Sequence, residues 1–399
     1  MGLQGKHIVL GVSGSIAAYK AADLASRLTQ SACLVSVIMT PAAREFITPL
    51  TFRSLTHRPV VTDWFDPTSD LSIQHVALAE AADALVIAPA TADIIAKLAQ
   101  GLADEPLTGT ALATQAPLVL APAMDGHMYQ HPAVQANLAL LRQRGSVIVG
   151  PEHGRMASGL VGTGRLASTE AIMGALAQVL GRGGDLAGFT IVVTAGPTEE
   201  PLDPVRHITN RSSGKMGWAI AEAARDRGAQ VTLVTGPVSL PDPTGVRTVH
   251  IRTALDLLKA IGHELRETHA LVMAAAPADF RPALQAEQKI KKGLENTMSV
   301  ELVKNPDILA SLQGSFVKIG FAAESESLVK NAQAKLREKG LDLIVANDIT
   351  RSDSGFGSDD NQVTIVDAHG GVDELPLMPK PEVADRILDR LVELLRART

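Results

Sequence analysis

The sequence predicts an α/β protein built from two Rossmann-like domains with mostly parallel sheets. Short apolar runs alternate with helical stretches along the chain, the rhythm of parallel strands covered by helices. That rhythm stops at a glycine-rich break, Gly181 to Asp185 (GRGGD), and then restarts. The length, 399 residues, suits two domains of about 100–200 residues each. We place the boundary near residue 183, giving domains 1–183 and 184–399.

The first run, His7 to Val12 (HIVLGV), is rich in β-branched residues and reads as a strand. Behind it Ala17, Ala21, Leu24 and Leu28 recur at helical spacing. Strands are expected at Leu34–Met39, Ala84–Ala88, Pro117–Ala121 and Ser146–Val149. After the break come a strand at Thr190–Thr194 and a helix at Lys215–Arg227. Gly228 stands where a left-handed residue closes a helix. Further strands are expected at Gln230–Thr235, Ala270–Ala275, Val317–Phe321 and Asp342–Ala346, with a helix over Glu326–Lys339. NQVTIVD-AHGG-VDELPL reads as a hairpin interrupting the rhythm, and Pro381–Ala397 as a closing helix.

Charged residues make up 20% and the net charge is −6, which argues against nucleic acid or an anionic membrane as partner. Aromatics at 3% are too few for base-stacking platforms. The single cysteine, Cys33, excludes an internal disulfide and reads as a buried strand residue. No Cys/His cluster has zinc spacing, and no metal ligands are assigned. The N-terminus lacks an apolar signal region, and no apolar run reaches membrane length. A soluble cytoplasmic protein is expected.

In the first half, GVSGS (Gly11 to Ser15) lies between a strand and a helix. Small residues there admit a phosphate to free N–H groups, although a plain tight turn explains the motif equally well. MTPAAREFI, APATADIIAKLAQGLAD and APAMDGHMYQHPA each follow a strand end, where open α/β sheets bind ligands. Together these motifs resemble the flavin-dependent phosphopantothenoylcysteine decarboxylases, from about Lys6 to Leu166. The resemblance implies a flavodoxin-like flavoprotein domain with FMN held by Gly11, Ser13, Ser15 and Thr40, and with Ala90 and Thr91 near the ring. His75 in SIQHVALAE matches the catalytic histidine; on its pattern alone it reads first as structural. A group titrating near neutrality suits proton handling beside a flavin.

Two positions depart from that family. Its substrate motif usually reads Pro-x-Met-Asn, where this chain has Asp125. Its flap usually carries a cysteine that returns a proton, where this chain has Ser158 in MASGLVGTGRL. Burial beside the flavin is expected to raise the Asp125 pKa, so that the protonated acid donates to the substrate carboxylate.

In the second half, VTAGPTEEPLDPVRHITNRSSGKMG runs from a strand through a Gly-Pro turn and a long loop into a helix. Its Ser212–Lys215 part reads as either an anion-binding helix start or an N-cap. With AAAPADFRP, KIKK (Lys289, Lys291, Lys292), KNPDIL, GFAAES and GFGSDDN it resembles the phosphopantothenate–cysteine ligases, from about Gly188 to Leu394. The resemblance implies CTP as co-substrate with Mg2+, and phosphopantothenate and cysteine as the joined substrates. It places Ala275, Ala276, Asp279, Lys289, Asn305, Pro306, Asp307, Ile308, Phe321, Lys335 and Lys339 at CTP. Asn210 would serve the acyl-cytidylate and Lys289 the cysteine step. Without the resemblance, Lys335 and Lys339 read as a solvated helix face.

The resemblances also imply trimeric decarboxylase and dimeric ligase contacts, hence a homo-oligomer. One alternative remains open: an active ligase whose first domain binds flavin without catalysis. A nicotinamide-dependent dehydrogenase is disfavoured, because neither half carries GxGxxG followed by an acidic ribose ligand.

Overall fold

The computed structural model describes residues 2–64, 74–291, 297–324, 326–348 and 357–398. They form two compact units, Met1–Gly181 and Arg182–Thr399. Lys292 and the start of the GFGSDDN motif lie outside the described residues.

The first unit is built on six parallel strands: β1 (His7–Val12), β2 (Leu34–Met39), β3 (Val60–Val61), β4 (Ala84–Ala90), β5 (Leu118–Pro122) and β6 (Val147–Ile148). Their order across the sheet is β3-β2-β1-β4-β5-β6. The direction of progression therefore reverses between β1 and β4, which pair directly. Such a reversal leaves a crevice at the carboxyl ends of the two strands. All seven residues of β4 are buried, as expected of a central strand covered on both faces. Ala18, Ala21, Leu24 and Leu28 form the buried stripe of the helix Ala18–Gln30. Cys33 is buried one residue ahead of β2, with its thiol donating to the Leu3 carbonyl at 3.1 Å. Burial pushes that thiol up to about 11.

A hairpin of β7 (Glu152–Arg155) and β8 (Val161–Arg165) follows the sheet. Glycine makes its docking possible. A Cβ at Gly164 would lie 2.2 Å from the Met124 carbonyl oxygen. With only hydrogen there, the Met124 N–H donates to the Gly164 carbonyl at 3.0 Å.

In the second unit eight strands run in the order Arg247–His250, Gln230–Thr235, Thr190–Ala195, Ala270–Met273, Val317–Glu324, Leu343–Asp348, Val363–Asp367 and Val372–Glu374. The first six are parallel and the last two antiparallel additions. These last two are the expected hairpin. The reversal again falls between the first and fourth strands in chain order, Thr190–Ala195 and Ala270–Met273. The closing helix, Lys380–Arg398, buries Val383, Ile387, Leu388 and Leu391 on one face. Val317–Glu324 runs three residues beyond its expected end at Phe321, because Leu343–Asp348 pairs along its full length. The helix expected from Glu326 begins at Leu328.

Candidate active sites in the two units

The crevice of the first unit is a cleft of about 510 Å3. Four hydroxyls singled out in the sequence line it: Ser13, Ser15, Thr40 and Thr91. Each is placed by a local rule. The Ser13 hydroxyl donates to the Pro89 carbonyl at 2.8 Å and accepts from the Thr91 N–H at 3.1 Å, tying the end of β1 to the end of β4. Thr91 and Thr40 are N-caps, accepting from the Ile94 and Ala43 N–H groups. Ser15 accepts from the Ala17 N–H at 3.2 Å. Gly14 lets this turn approach the next, since a Cβ there would lie 2.4 Å from that of Ala42.

Gly11 and Ala90 do not line the cleft. Both are buried strand residues, and a Cβ at Gly11 would sit 2.4 Å from Leu107 Cδ1. Their smallness serves packing beneath the cleft. His75 is also not among the lining residues. It stands on the helix Gln74–Ala81, edge-on to Trp64 at 4.8 Å between ring centroids.

Sequence reasoning missed the ionic group on the cleft wall. Lys97 lies 3.3, 3.2 and 3.5 Å from Asp93, Asp104 and Glu105. Burial works against its charge, but Asp104, Glu105 and Asp93 together hold its pKa above the ordinary value. Burial pushes Glu105 up. Three carboxylates spread from position 93 to 105 carry no sequence signature of convergence on one lysine.

A second cavity, about 700 Å3, shares Ser15, Ala123 and Met124 with the cleft and carries both departures. Asp125 caps the short helix Gly126–Gln130, accepting from the His127 N–H at 3.0 Å. Its other oxygen accepts from the Ser158 hydroxyl at 2.9 Å. The His127 N–H and then the Ser158 hydroxyl pull the Asp125 carboxyl below its usual range. The expectation of a raised pKa is therefore corrected, because two donors to the ionised form outweigh burial. The sign follows directly. A depressed pKa makes Asp125 stabilising above the usual carboxylate value, an effect lost as pH falls through the folded value. Asp125 is then ionised throughout the neutral range and contributes no limb to activity between roughly pH 6 and 9. Turnover profiles of wild type and Asp125→Asn should run parallel there, Asn being an equally good cap. A high-pH fall in wild type that vanishes in Asp125→Asn would contradict this.

In the second unit the loops after the two central strands are laced together. The Ala275 N–H donates to the Thr194 hydroxyl, that of Ala276 to the Gly196 carbonyl and that of Ala278 to the Thr198 hydroxyl. The Asn210 amide nitrogen donates to the carbonyls of Ala276 and Pro277 at 3.2 and 2.9 Å. Both its hydrogens are thereby used, which leaves its side-chain oxygen as an acceptor. The N–H of Asn305 donates to the Asp279 carbonyl and its side chain to that of Ala278. Asp307, next but one, caps the short helix beginning at Ile308. Pro306 lies between them.

Lys339 pairs with Asp307 at 3.0 Å and Lys335 with Glu324 at 2.6 Å. The solvated-face reading of these lysines gives way to two ion pairs. Phe321, half-buried, shares the strand of Glu324. Lys289 is exposed on a segment fixed by its neighbour, since the Ile290 N–H donates to Asp203 and its carbonyl accepts from Arg206. Asp203, buried, is held far below the carboxylate range by the Arg206 guanidinium against the opposing effect of burial, with backbone N–H groups adding to it. Ser212 and Ser213 do not cap the following helix; its N-cap is Gly214, without a side-chain cap bond. Lys215 binds Asp359 at 2.7 Å instead.

Among the described residues no group of three or more His, Cys, Asp or Glu could hold a metal, and no helix is long and apolar enough to cross a membrane.

Two mostly parallel sheets, each with a topological switch point and the first with a polar cleft there, define a two-unit α/β enzyme of the nucleotide- and cofactor-binding class. A family described as "Flavoprotein" matches residues 2–181. A family described as "DNA/pantothenate metabolism flavoprotein C-terminal domain" matches residues 186–395. Coenzyme A biosynthesis bifunctional protein CoaBC of Vibrio cholerae is 44% identical, over 98% of this chain and 99% of its own. That of Escherichia coli strain K12 is 43% identical, over 98% of each. A crystal structure of a CoaBC C-terminal domain is 40% identical, covering 54% of this chain and 99% of that one, with a TM-score of 0.46. The chain belongs to the family of coenzyme A biosynthesis bifunctional proteins. It is a two-domain enzyme carrying a flavoprotein decarboxylase unit and a ligase unit.

Proposed function

We propose that residues 1–183 decarboxylate phosphopantothenoylcysteine with FMN, and that residues 184–399 first make that substrate from phosphopantothenate and cysteine with CTP. The observation that carries the first half is the hydroxyl-lined crevice between β1 and β4. Its volume, about 510 Å3, falls in the range of cofactor sites. Ser15, Thr40 and Thr91 with the helix starts behind them suit a phosphate-bearing flavin. Ser13 acts by holding Thr91 in place. When bound, FMN would take two electrons from the cysteinyl side chain so that its carboxylate can leave as CO2, and would return them to the resulting enethiol, which leaves the cofactor oxidised.

The chain's own groups do the rest. His75 handles the proton at the cysteinyl sulfur. Asp125 fixes the hairpin tip through Ser158. His75 lies outside its own chain's cleft, while Ile16, Phe46, Leu50 and Met128 are large apolar side chains exposed on this unit. A homo-oligomer that brings His75 of one copy to the cleft of another accounts for both facts.

In the ligase the phosphopantothenate carboxylate attacks the α-phosphate of CTP, giving an acyl-cytidylate and pyrophosphate. The amine of cysteine then displaces CMP. Lys289, Lys335 and Lys339 meet the triphosphate, whose charge calls for Mg2+. Ala275, Ala276, Asp279, Asn305 and Phe321 shape the nucleotide pocket. Asn210 serves the acyl-cytidylate, and Lys289 also assists the cysteine step.

A second reading, a ligase with a flavin-binding but inactive first unit, is favoured by one observation: the Ser158 hydroxyl is a weak acid already committed to Asp125. One assay separates the two. Purified protein is given phosphopantothenate, cysteine, CTP and Mg2+, and pyrophosphate and CO2 are followed separately. Both products are expected. Pyrophosphate without CO2 supports the second reading, and no pyrophosphate with CTP refutes the ligase assignment.

A further inference from the structure

His75, to which we assign the proton chemistry of the first unit, is held by little in its own helix. It stands at the second position of the helix Gln74–Ala81, half-buried. Among the described residues its imidazole makes no hydrogen bond. A histidine with no partner at either ring nitrogen samples several rotamers, and only some of them present a nitrogen to a substrate. One ring contact remains. The indole of Trp64 meets the imidazole at 90°, with 4.8 Å between centroids, the edge-on geometry that aromatic pairs prefer.

Trp64 is itself fixed from two sides. Its indole N–H donates to the Asp104 carbonyl at 3.2 Å, and Lys97 on the cleft wall grips the Asp104 carboxylate at 3.2 Å. The six-membered ring of the indole fills a slot over Gly109 in the helix Pro106–Ala113. A Cβ at Gly109 would lie 2.4 Å from Trp64 Cη2 and 3.0 Å from Cζ3. Glycine inside a helix is less stable than alanine, and here the missing methyl is the space that the indole occupies. Trp64 lines neither the cleft nor the larger cavity, so its influence on the reaction passes through His75.

We propose that Trp64 is a positioning residue of the decarboxylase, seated by Gly109 and Asp104 to hold the His75 imidazole in one orientation. The inference rests on the assignment of His75 to proton transfer above. Transfer requires hydrogen-bond reach at a set angle, so an imidazole that turns or drifts by an ångström loses much of its effect on rate. Flavin and substrate are bound by other residues. Holding the ring therefore acts on the chemical step and leaves binding alone.

The test follows CO2 release from phosphopantothenoylcysteine by the full-length, FMN-loaded protein and by Trp64→Leu, Trp64→Phe and Gly109→Ala. Trp64→Leu should lower kcat roughly tenfold to a hundredfold, the scale of a misplaced catalytic group, with KM and flavin content unchanged. Trp64→Phe keeps a ring in the slot and should recover most of the loss. Gly109→Ala should act like Trp64→Leu with Trp64 intact, since the added methyl evicts the indole while alanine favours the helix. In a His75→Asn background Trp64→Leu should cost nothing further, because a positioning residue has no effect once the group it positions is gone. In protein carrying isotope-labelled histidine, the ring signal missing from His75→Asn should be displaced by the indole ring current. In Trp64→Leu and Gly109→Ala it should move towards that of an exposed histidine. An undiminished kcat in Trp64→Leu, a rise in KM at unchanged kcat, a full additional loss in the His75→Asn background, or an unmoved histidine signal would each overturn the proposal. If His75→Asn turns over as fast as wild type, the assignment of His75 fails by itself, and the ring signal still decides whether Trp64 orients it.

Discussion

Asn210→Asp is expected to lower ligation by roughly a hundredfold to a thousandfold, the range for one preorganised polar group at a centre of developing charge. Release of CO2 from supplied phosphopantothenoylcysteine should stay at the wild-type rate. The side-chain amide spends both hydrogens on the carbonyls of Ala276 and Pro277. A carboxylate cannot donate, so it would face two carbonyl oxygens and push the loops apart. Those loops carry Ala275, Ala276 and Asp279, which we assign to the nucleotide. The change also sets a negative charge beside an anionic acyl-cytidylate. Pyrophosphate formation and cysteine coupling should therefore fall together. Asn210→Ala removes the donor without adding the charge and should fall less. If Asn210→Asp and wild type form pyrophosphate equally fast, the assignment of Asn210 is wrong.

His75→Asn should lower decarboxylation by roughly a hundredfold to ten-thousandfold, the range for a general acid–base group, with flavin content and ligation unchanged. The residue lies apart from the cleft hydroxyls we assign to FMN, so its loss should leave cofactor binding in place. It lies against Trp64 and close to Gly109, whose added Cβ would come within 3.5 Å of His75 Cδ2. Asn is smaller and polar, and it keeps a hydrogen-bonding group without the imidazole's capacity to take up and give back a proton. The measurement is CO2 release from phosphopantothenoylcysteine together with the flavin spectrum and the oligomer mass. A slow variant that has lost its flavin or its assembly would show His75 acting structurally. An undiminished rate would remove it from the chemistry.

The departures at Asp125 and Ser158 change meaning once they are seen in contact. Read singly, an aspartate in place of an amide and a serine in place of a thiol are two impairments. In the structure the serine hydroxyl donates to the aspartate and helps hold it ionised. One neutral donor meets one acceptor-only group, which joins the hairpin tip to the helix cap. What the pair contributes to turnover is set by that bond more than by the acidity of either group.

The alternation of apolar runs carried the layers, the parallel strands and the break between the halves, because burial on both faces demands continuous apolar strands whatever the neighbours. Local capping was less legible. Thr40, Thr91 and Asp307, expected at ligands by resemblance alone, are capping residues, while the N-cap reading of Ser212–Lys215 gives way to Gly214, which makes no side-chain cap bond. Convergence over distance was not legible. The gathering of Asp93, Asp104 and Glu105 on Lys97, the pairing of Lys335 with Glu324 and Lys339 with Asp307, and the bond between Ser158 and Asp125 all depend on where strands end in space. Charge chemistry at those places is fixed by partners 4 to 33 positions away. The pKa of Asp125 accordingly reversed its expected direction. Composition reports which groups are available, and only the folded chain decides which of them face each other, where a hydrogen bond or an ion pair outweighs the bias of any residue alone.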